Sequence, residues 1–237
     1  MSYWENKCVI VTGGTSGLGR SLVLKLVGLG AKVAFCGRSK EKMNDVMNEI
    51  KLEESKAYGE TFDITEEDKI ISFIGNVEGE FGGVDVLINC AGANSARSAV
   101  EDIKVEDINF MFKLNTIAPL VFTKECCKYM KAKQEGLIVN ILSTCCLYSN
   151  EGTGAYTATK SSLDGLTKVL RKEARKDNIR VCSVYPGGIN TPFRTQVREE
   201  YLSPDNTAEA ILKALDIDKS VALDEIVLRP FIEANYC

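Results

Sequence analysis

The chain has 237 residues, 45% of them hydrophobic and 26% charged, which suits one large α/β domain better than two small ones. Its net charge is -4 with both signs scattered along the chain, so no basic stripe offers a surface to nucleic acid and no such partner is expected. With no histidine, no C-x-x-C among nine cysteines and no apolar run near the roughly 18 residues that span a bilayer, neither a metal site nor a membrane segment is expected.

The opening "MSYWENKCVIVTGG" lacks the long apolar region and small-residue cleavage site of a signal peptide, so a cytoplasmic protein is expected. In chain order the β-type runs are "KCVIVT" (7–12), "KVAFC" (32–36), "AYGETF" (57–62), "VDVLIN" (84–89), "LIVNIL" (137–142), "IRVCSV" (179–184) and "EIVLR" (225–229). Helix-period segments alternate with them near 17–29, 40–54, 66–80, 101–131, 154–176 and 205–217, and Thr65 with Asp68 three residues on reads as a helix start. Near-continuous apolar strands between helices predict a parallel sheet covered on both faces, a doubly wound α/β fold. No linker or repeat interrupts the pattern, so 1–237 reads as one domain. Cys8, Cys36, Cys90 and Cys182 sit in or at the ends of these runs, where a free thiol acts as a small hydrophobe.

Directly after the first run comes "GGTSGLGR", then the apolar-periodic "SLVLKLVGLG", so the glycines occupy a strand-to-helix turn. Lacking a Cβ, Gly13, Gly17 and Gly19 let the backbone approach a pyrophosphate, whose charge is met by the helix N-terminus. With the spacing T-G-x-x-x-G-x-G from Thr12 to Gly19, the chain resembles the short-chain dehydrogenase/reductase family, over nearly its whole length from Val11 to about Pro230. In that family this turn binds NAD or NADP. The resemblance implies cofactor contacts from Gly13, Thr15, Ser16, Gly17, Leu18 and Gly19, and a Rossmann-type domain with a parallel seven-stranded sheet flanked by helices.

The second strand ends in "AFCGRSKEK", with Gly37 where an NAD-binding fold would hold an acid on the ribose 2′-hydroxyl, and Arg38 immediately after it. A guanidinium with no carboxylate beside it favours a 2′-phosphate, so NADP is expected ahead of NAD, with Arg38 and Lys40 otherwise a solvated helix start. Asp63, followed by Ile64, matches the family position that contacts adenine. "NCAG" at 89–92 resembles the family's Asn-Asn-Ala-Gly turn, departing at Cys90, and implies that Asn89, Ala91 and Gly92 stabilise the sheet and line the cofactor. Asn115 in "FKLNTIAPL" matches the Asn that holds a proton-relay water; taken alone, it reads equally well as satisfying backbone loosened by Pro119.

Ser143 follows the fifth strand and precedes Tyr156 by thirteen residues, a spacing similar to that of the family's catalytic serine. Tyr156 and Lys160 share one helical face at i and i+4, where an ammonium favours the phenolate and so lowers the phenol's pKa. Taken alone the pair reads as a half-buried ring beside a solvated charge; with no histidine in the chain and Ser143 expected at the same strand-end cleft, the combined motifs make it the expected proton source. The resemblance makes Tyr156 the general acid, Lys160 its pKa-lowering partner and ribose ligand, Ser143 the donor to the substrate oxygen, and Asn115 the anchor of the relay water. "YPGGINT" at 185–191 resembles the family turn that meets the nicotinamide, implicating Pro186, Gly187, Ile189 and Thr191.

The implied activity is hydride transfer between NADP(H) and a small-molecule carbonyl or secondary alcohol. The rival reading is a non-catalytic NADP-binding sensor or regulatory protein, against which Ser143, Tyr156, Lys160 and Asn115 are all present. The short segment "TPFRTQVREEYLSPDN" suggests an open or shallow pocket, and Arg194 and Arg198 within it are candidates to hold an acidic substrate, although exposed arginines are more often solvated. The loop "TCCLYSNEGTG" should bring Cys145, Cys146, Leu147 and Tyr148 near the carbonyl, so oxidation or alkylation of the two thiols is expected to inhibit. The carboxyl end lacks the "DGG" ending of the ketoacyl reductase branch. Relatives assemble as homodimers or homotetramers through the helices here near 101–131 and 154–176.

Overall fold

The computed structural model describes residues 2–51, 56–193 and 197–233. Seven strands, β1 (Cys8–Thr12), β2 (Lys32–Gly37), β3 (Ala57–Thr61), β4 (Val86–Asn89), β5 (Gly136–Ile141), β6 (Ile179–Pro186) and β7 (Glu225–Leu228), pair in the order β3-β2-β1-β4-β5-β6-β7. Every pairing is parallel. The five inner strands β1, β2, β4, β5 and β6 are largely buried because both faces are covered, and successive residues enter opposite cores, whereas the edge strands β3 and β7 are partly exposed. Val9, Val11, Val33 and Phe35 pack under α1 (Gly17–Gly28), α2 (Lys40–Lys51) and the last helix, through Leu22, Leu26, Val46 and Ile211. Cys8, Ile10 and Ala34 face the other way, against Phe73 of α3 (Glu67–Phe81) and Phe122 of α5 (Ala118–Lys133). On this face α6 (Gly154–Glu173) adds Leu163, which packs with Leu142 and Tyr185.

Strand order reverses at β1, whose neighbours are β2 on one side and β4 on the other. At such a reversal the crossover helices leave in opposite directions, and the carboxyl ends of the central strands open a crevice.

The helical stretch expected at 101–131 is broken in the structure. A 3₁₀ turn at Val100–Asp102 precedes α4 (Val105–Phe112), and a π turn at Lys113–Ile117 separates it from α5. Pro119 has no N–H for the carbonyl of Asn115 four residues earlier, and the backbone widens there. The expected start at Thr65 is also displaced: Asp63 Oδ1 accepts from Thr65 N at 2.9 Å, and α3 begins at Glu67 without a side-chain cap. The last helix, α7 (Pro204–Leu215), begins one residue before the expected 205, with Ser203 accepting from Asn206 N at 3.4 Å. Among the described residues no helix is long and apolar enough to cross a membrane.

Candidate active site

β1 ends at Thr12, whose Oγ1 accepts hydrogen bonds from Cys90 N and Ala91 N, both at 3.0 Å. The turn after β4 is thereby seated beside the turn after β1. Gly13 follows at φ +70°, and a Cβ there would lie 3.0 Å from Ala91 Cα, so the two turns meet because this residue is glycine. At Gly19 a Cβ would collide with the Gly13 carbonyl oxygen, so the loop closes onto the first turn of α1. Ser16, at the N-cap, makes no side-chain capping bond, and this first turn carries no acidic side chain. The leading N–H groups of α1 keep their partial positive charge at the end that an anion would meet.

The carboxyl ends of the strands open on a cleft of about 580 Å³. The first turn contributes Gly13, Thr15, Ser16, Gly17, Leu18 and Gly19. Arg38, Ser39 and Lys42 follow β2, and Ile64 follows β3. Ala91 and Gly92 line it after β4, Ser143 after β5, and Pro186, Gly187, Ile189 and Thr191 after β6. Tyr156 and Lys160 reach it from α6. The lining cations are Arg38, Lys42, Arg97 and Lys160, with Glu233 the one carboxylate among the described lining residues.

Asp63, Asn89 and Asn115 are not part of this lining. The Asp63 carboxylate serves its own turn, as above. Asn89 is buried and donates to Asn140 Oδ1 at 2.8 Å; Asn140 in turn donates to Thr167 Oγ1 at 2.8 Å, a chain that ties β4 and β5 to α6. Asn115 is fully buried in the π turn. Its Oδ1 accepts from Ala93 N and its Nδ2 donates to Ala93 O, both at 2.9 Å, with a further bond from Nδ2 to Thr159 Oγ1 at 3.0 Å. Thr159 Oγ1 donates to Tyr156 O at 2.8 Å, so Asn115 links the loop after β4 to the turn of α6 that carries Tyr156.

Lys160 is 3% exposed, and its Nζ donates to the Ile141 carbonyl at 2.8 Å. Burial lowers its pKa from the ordinary lysine value, opposed by the nearby Cys90, Cys146 and Cys145 thiols. Gly92 makes room for this arrangement: a Cβ there would lie 3.1 Å from Asn115 Oδ1 and 3.3 Å from Lys160 Nζ. Tyr156 is half-buried, with its ring edge-on to Phe193 at 6.0 Å between centroids. Ser143 Oγ accepts from Cys145 N at 3.2 Å, and its side chain also hydrogen-bonds the Cys145 thiol. The Cys145 thiol is held below the ordinary cysteine value, because the Cys146 thiol hydrogen-bonds to it and Ser143, Thr157 and Lys160 add to that against its burial. The same contact pushes the Cys146 thiol up.

Several site residues were not legible in sequence. Lys42, rather than Lys40, joins Arg38 at the cleft, because α2 begins at Lys40 and its first turn brings residue 42 round to that side. A spacing of four between two cations at a helix start is the signal that could have found it. Asn94, Arg97 and Glu233 also line the cleft. Of the loop after β5, Cys145 lines it, while Cys146, Leu147 and Tyr148 do not. Arg198 stays at the surface, 3.6 Å from Glu200 and 5.5 Å over the Tyr201 ring, and does not line the cleft. Arg194 lies outside the described residues.

The family model described as short chain dehydrogenase matches residues 7–202. An uncharacterized oxidoreductase of Staphylococcus aureus (strain MRSA252) is 30% identical over 233 residues, covering 97% of this chain and 100% of that one. Among solved structures, a metagenomic short-chain oxidoreductase in complex with NADP is similar at a TM-score of 0.86 and 27% identity, covering 97% of this chain and 99% of that one. An alcohol dehydrogenase from the archaeon Thermococcus sibiricus, complexed with 5-hydroxy-NADP, shares the fold at a TM-score of 0.90 and 24% identity, covering 97% and 98% of the two chains. With matched residues running from just before β1 to just before α7, the chain belongs to the short-chain dehydrogenase family of oxidoreductases.

Proposed function

We propose that the protein is an NADP(H)-dependent oxidoreductase acting on a small-molecule carbonyl or secondary alcohol. The observation that carries this reading is that Ser143, Tyr156 and Lys160 line the same cleft as the glycine turn, although they come from different elements. The side-chain-free floor at Gly13 and Gly19 fits a pyrophosphate against the α1 N-terminus. Arg38, Ser39 and Lys42, with Gly37 in place of an acid, fit a 2′-phosphate. The reduced nicotinamide supplies the hydride when bound.

Tyr156 donates a proton to the substrate oxygen as negative charge develops there. The Ser143 hydroxyl, exchanging its bond to the Cys145 thiol for one to the substrate, donates its hydrogen to the same oxygen and orients it. Lys160 places a positive charge at the buried end of the site, which favours the phenolate left on Tyr156 and serves a ribose hydroxyl. Asn115 uses its side chain on Ala93 and Thr159, so its main-chain carbonyl, for which Pro119 has no N–H, is the group left to hold a relay water.

The test is NADPH consumption against a panel of ketones, diketones and ketoacyl thioesters. Tyr156→Phe should bind NADPH as the parent does while kcat falls about 100-fold or more. Normal turnover by that variant would refute the reading, and NADPH binding without turnover on any of the panel would favour a sensor.

A further inference from the structure

Glu233 lies beyond β7, yet its Oε1 accepts a hydrogen bond from Gly188 N at 2.8 Å, across 45 residues of sequence. β7 runs parallel to β6 with Leu228 opposite Pro186, which carries the following chain to the mouth of the cleft. Glycines create the space for the carboxylate: a Cβ at Gly188 would lie 2.9 Å from Oε1, and one at Gly187 would collide with Oε2. The second oxygen, Oε2, is buried and has no hydrogen-bond partner. A carboxylate oxygen taken out of water is costly until a donor reaches it. Asn94 Oδ1, on another wall of the same cleft, is a second buried acceptor without a partner.

Two unmatched acceptors in one cleft call for a ligand that brings donors. A second anion would be repelled by Glu233, and an ammonium would sit in a cleft already holding Arg97 and Lys160. A neutral hydroxyl meets neither objection. We propose that Glu233 is a specificity-determining residue whose Oε2 accepts a hydrogen bond from a substrate hydroxyl, so that the preferred substrates are hydroxylated carbonyl compounds. This inference rests on the oxidoreductase reading above.

The experiment compares isosteric ketones by NADPH consumption: hydroxyacetone against butan-2-one, and 4-hydroxybutan-2-one against pentan-2-one. The hydroxylated member of at least one pair should have a kcat/KM about tenfold or more above its partner, since a site built to bind a hydroxyl rejects the analogue lacking it. Glu233→Gln can keep the Gly188 bond through its amide oxygen while turning an NH₂ donor toward the cleft, so the preference should vanish with NADPH affinity unchanged. Should that variant fail to fold by circular dichroism, Glu233→Asp, which keeps the charge but shortens the reach, should reduce the preference severalfold. Equal kcat/KM within both pairs in the parent protein overturns the inference and leaves the oxidoreductase reading standing. So does a preference that survives in Glu233→Gln, or weakened NADPH binding with the preference intact, which would assign Glu233 to the cofactor turn. If no ketone of either kind supports NADPH consumption, the oxidoreductase reading fails and the inference with it.

Discussion

The Lys160 ammonium donates to the Ile141 main-chain carbonyl at 2.8 Å, joining α6 to the last residue of β5 at the floor of the cleft. Among the described residues no carboxylate pairs with it; burial lowers its pKa, and a buried charge held by one carbonyl is a weak source of stability. Lys160→Met should therefore unfold within about 1 kcal/mol of the parent protein in urea at neutral pH, while kcat falls about 100-fold or more. A loss of several kcal/mol would show that the lysine is structural.

The same shift fixes the sign of a pH dependence. With a folded pKa below the unfolded value near 10.5, the unfolded chain binds the extra proton, so this group's contribution to stability rises with pH through that window. Buried thiols act oppositely: burial holds Cys8, Cys36, Cys90 and Cys182 up to about 12, so their contribution falls above pH 9.0. The difference between the parent and Lys160→Met isolates the lysine. Urea midpoints compared at neutral pH and near pH 10 should show the parent gaining relative to the variant; a constant gap would remove the assignment.

Arg38 and Lys42 are exposed at the adenosine end of the proposed site. Arg38→Ala and Lys42→Ala should each raise the NADPH Kd about tenfold and leave the NADH Kd nearly unchanged, because only NADPH carries the 2′-phosphate. Introducing an acid at Gly37 should be a poorer route to NAD use, since a Cβ there collides with the Thr15 side chain. Titration with both cofactors checks both statements, and equal losses for NADH and NADPH would count against a phosphate role.

Cys145 is 5% exposed, lines the cleft and carries a thiol held below the ordinary cysteine value by the Cys146 thiol beside it. Its alkylation by iodoacetamide, followed by mass spectrometry, should level off at a pH below that of an unperturbed thiol. Saturating NADPH should slow it, and modification should abolish turnover. Labelling that keeps climbing to pH 9, as for an unperturbed thiol, would contradict this.

α4 packs on α6, and their outer residues Val105, Leu166 and Val169 are 68%, 41% and 55% exposed. Exposed apolar residues on two packed helices are a candidate contact with a second copy. If these residues form a contact between copies, the doubly substituted Leu166→Asp, Val169→Asp protein should elute at a lower mass than the parent in light-scattering chromatography. An unchanged mass would place the interface elsewhere.

What the sequence determined by itself is whatever depends on near neighbours along the chain. Continuous apolar runs identified the inner strands because both faces of these are covered, and the glycine spacing after Thr12 identified a turn that only glycine permits at Gly13. The i, i+4 relation set Tyr156 and Lys160 on one helical face before any packing was known. Tertiary structure decided the rest. The π turn at Asn115 arises where Pro119 interrupts the helical bonding of a segment otherwise periodic enough to read as one helix. Asn89 faces Asn140 rather than the cleft because the pairing of β4 with β5 puts those two residues in register. Lys42 lines the cleft because the start of α2 sets which side chain turns inward. Glu233 reaches Gly188 because β7 adds in parallel beside β6, bringing together residues that no local pattern relates.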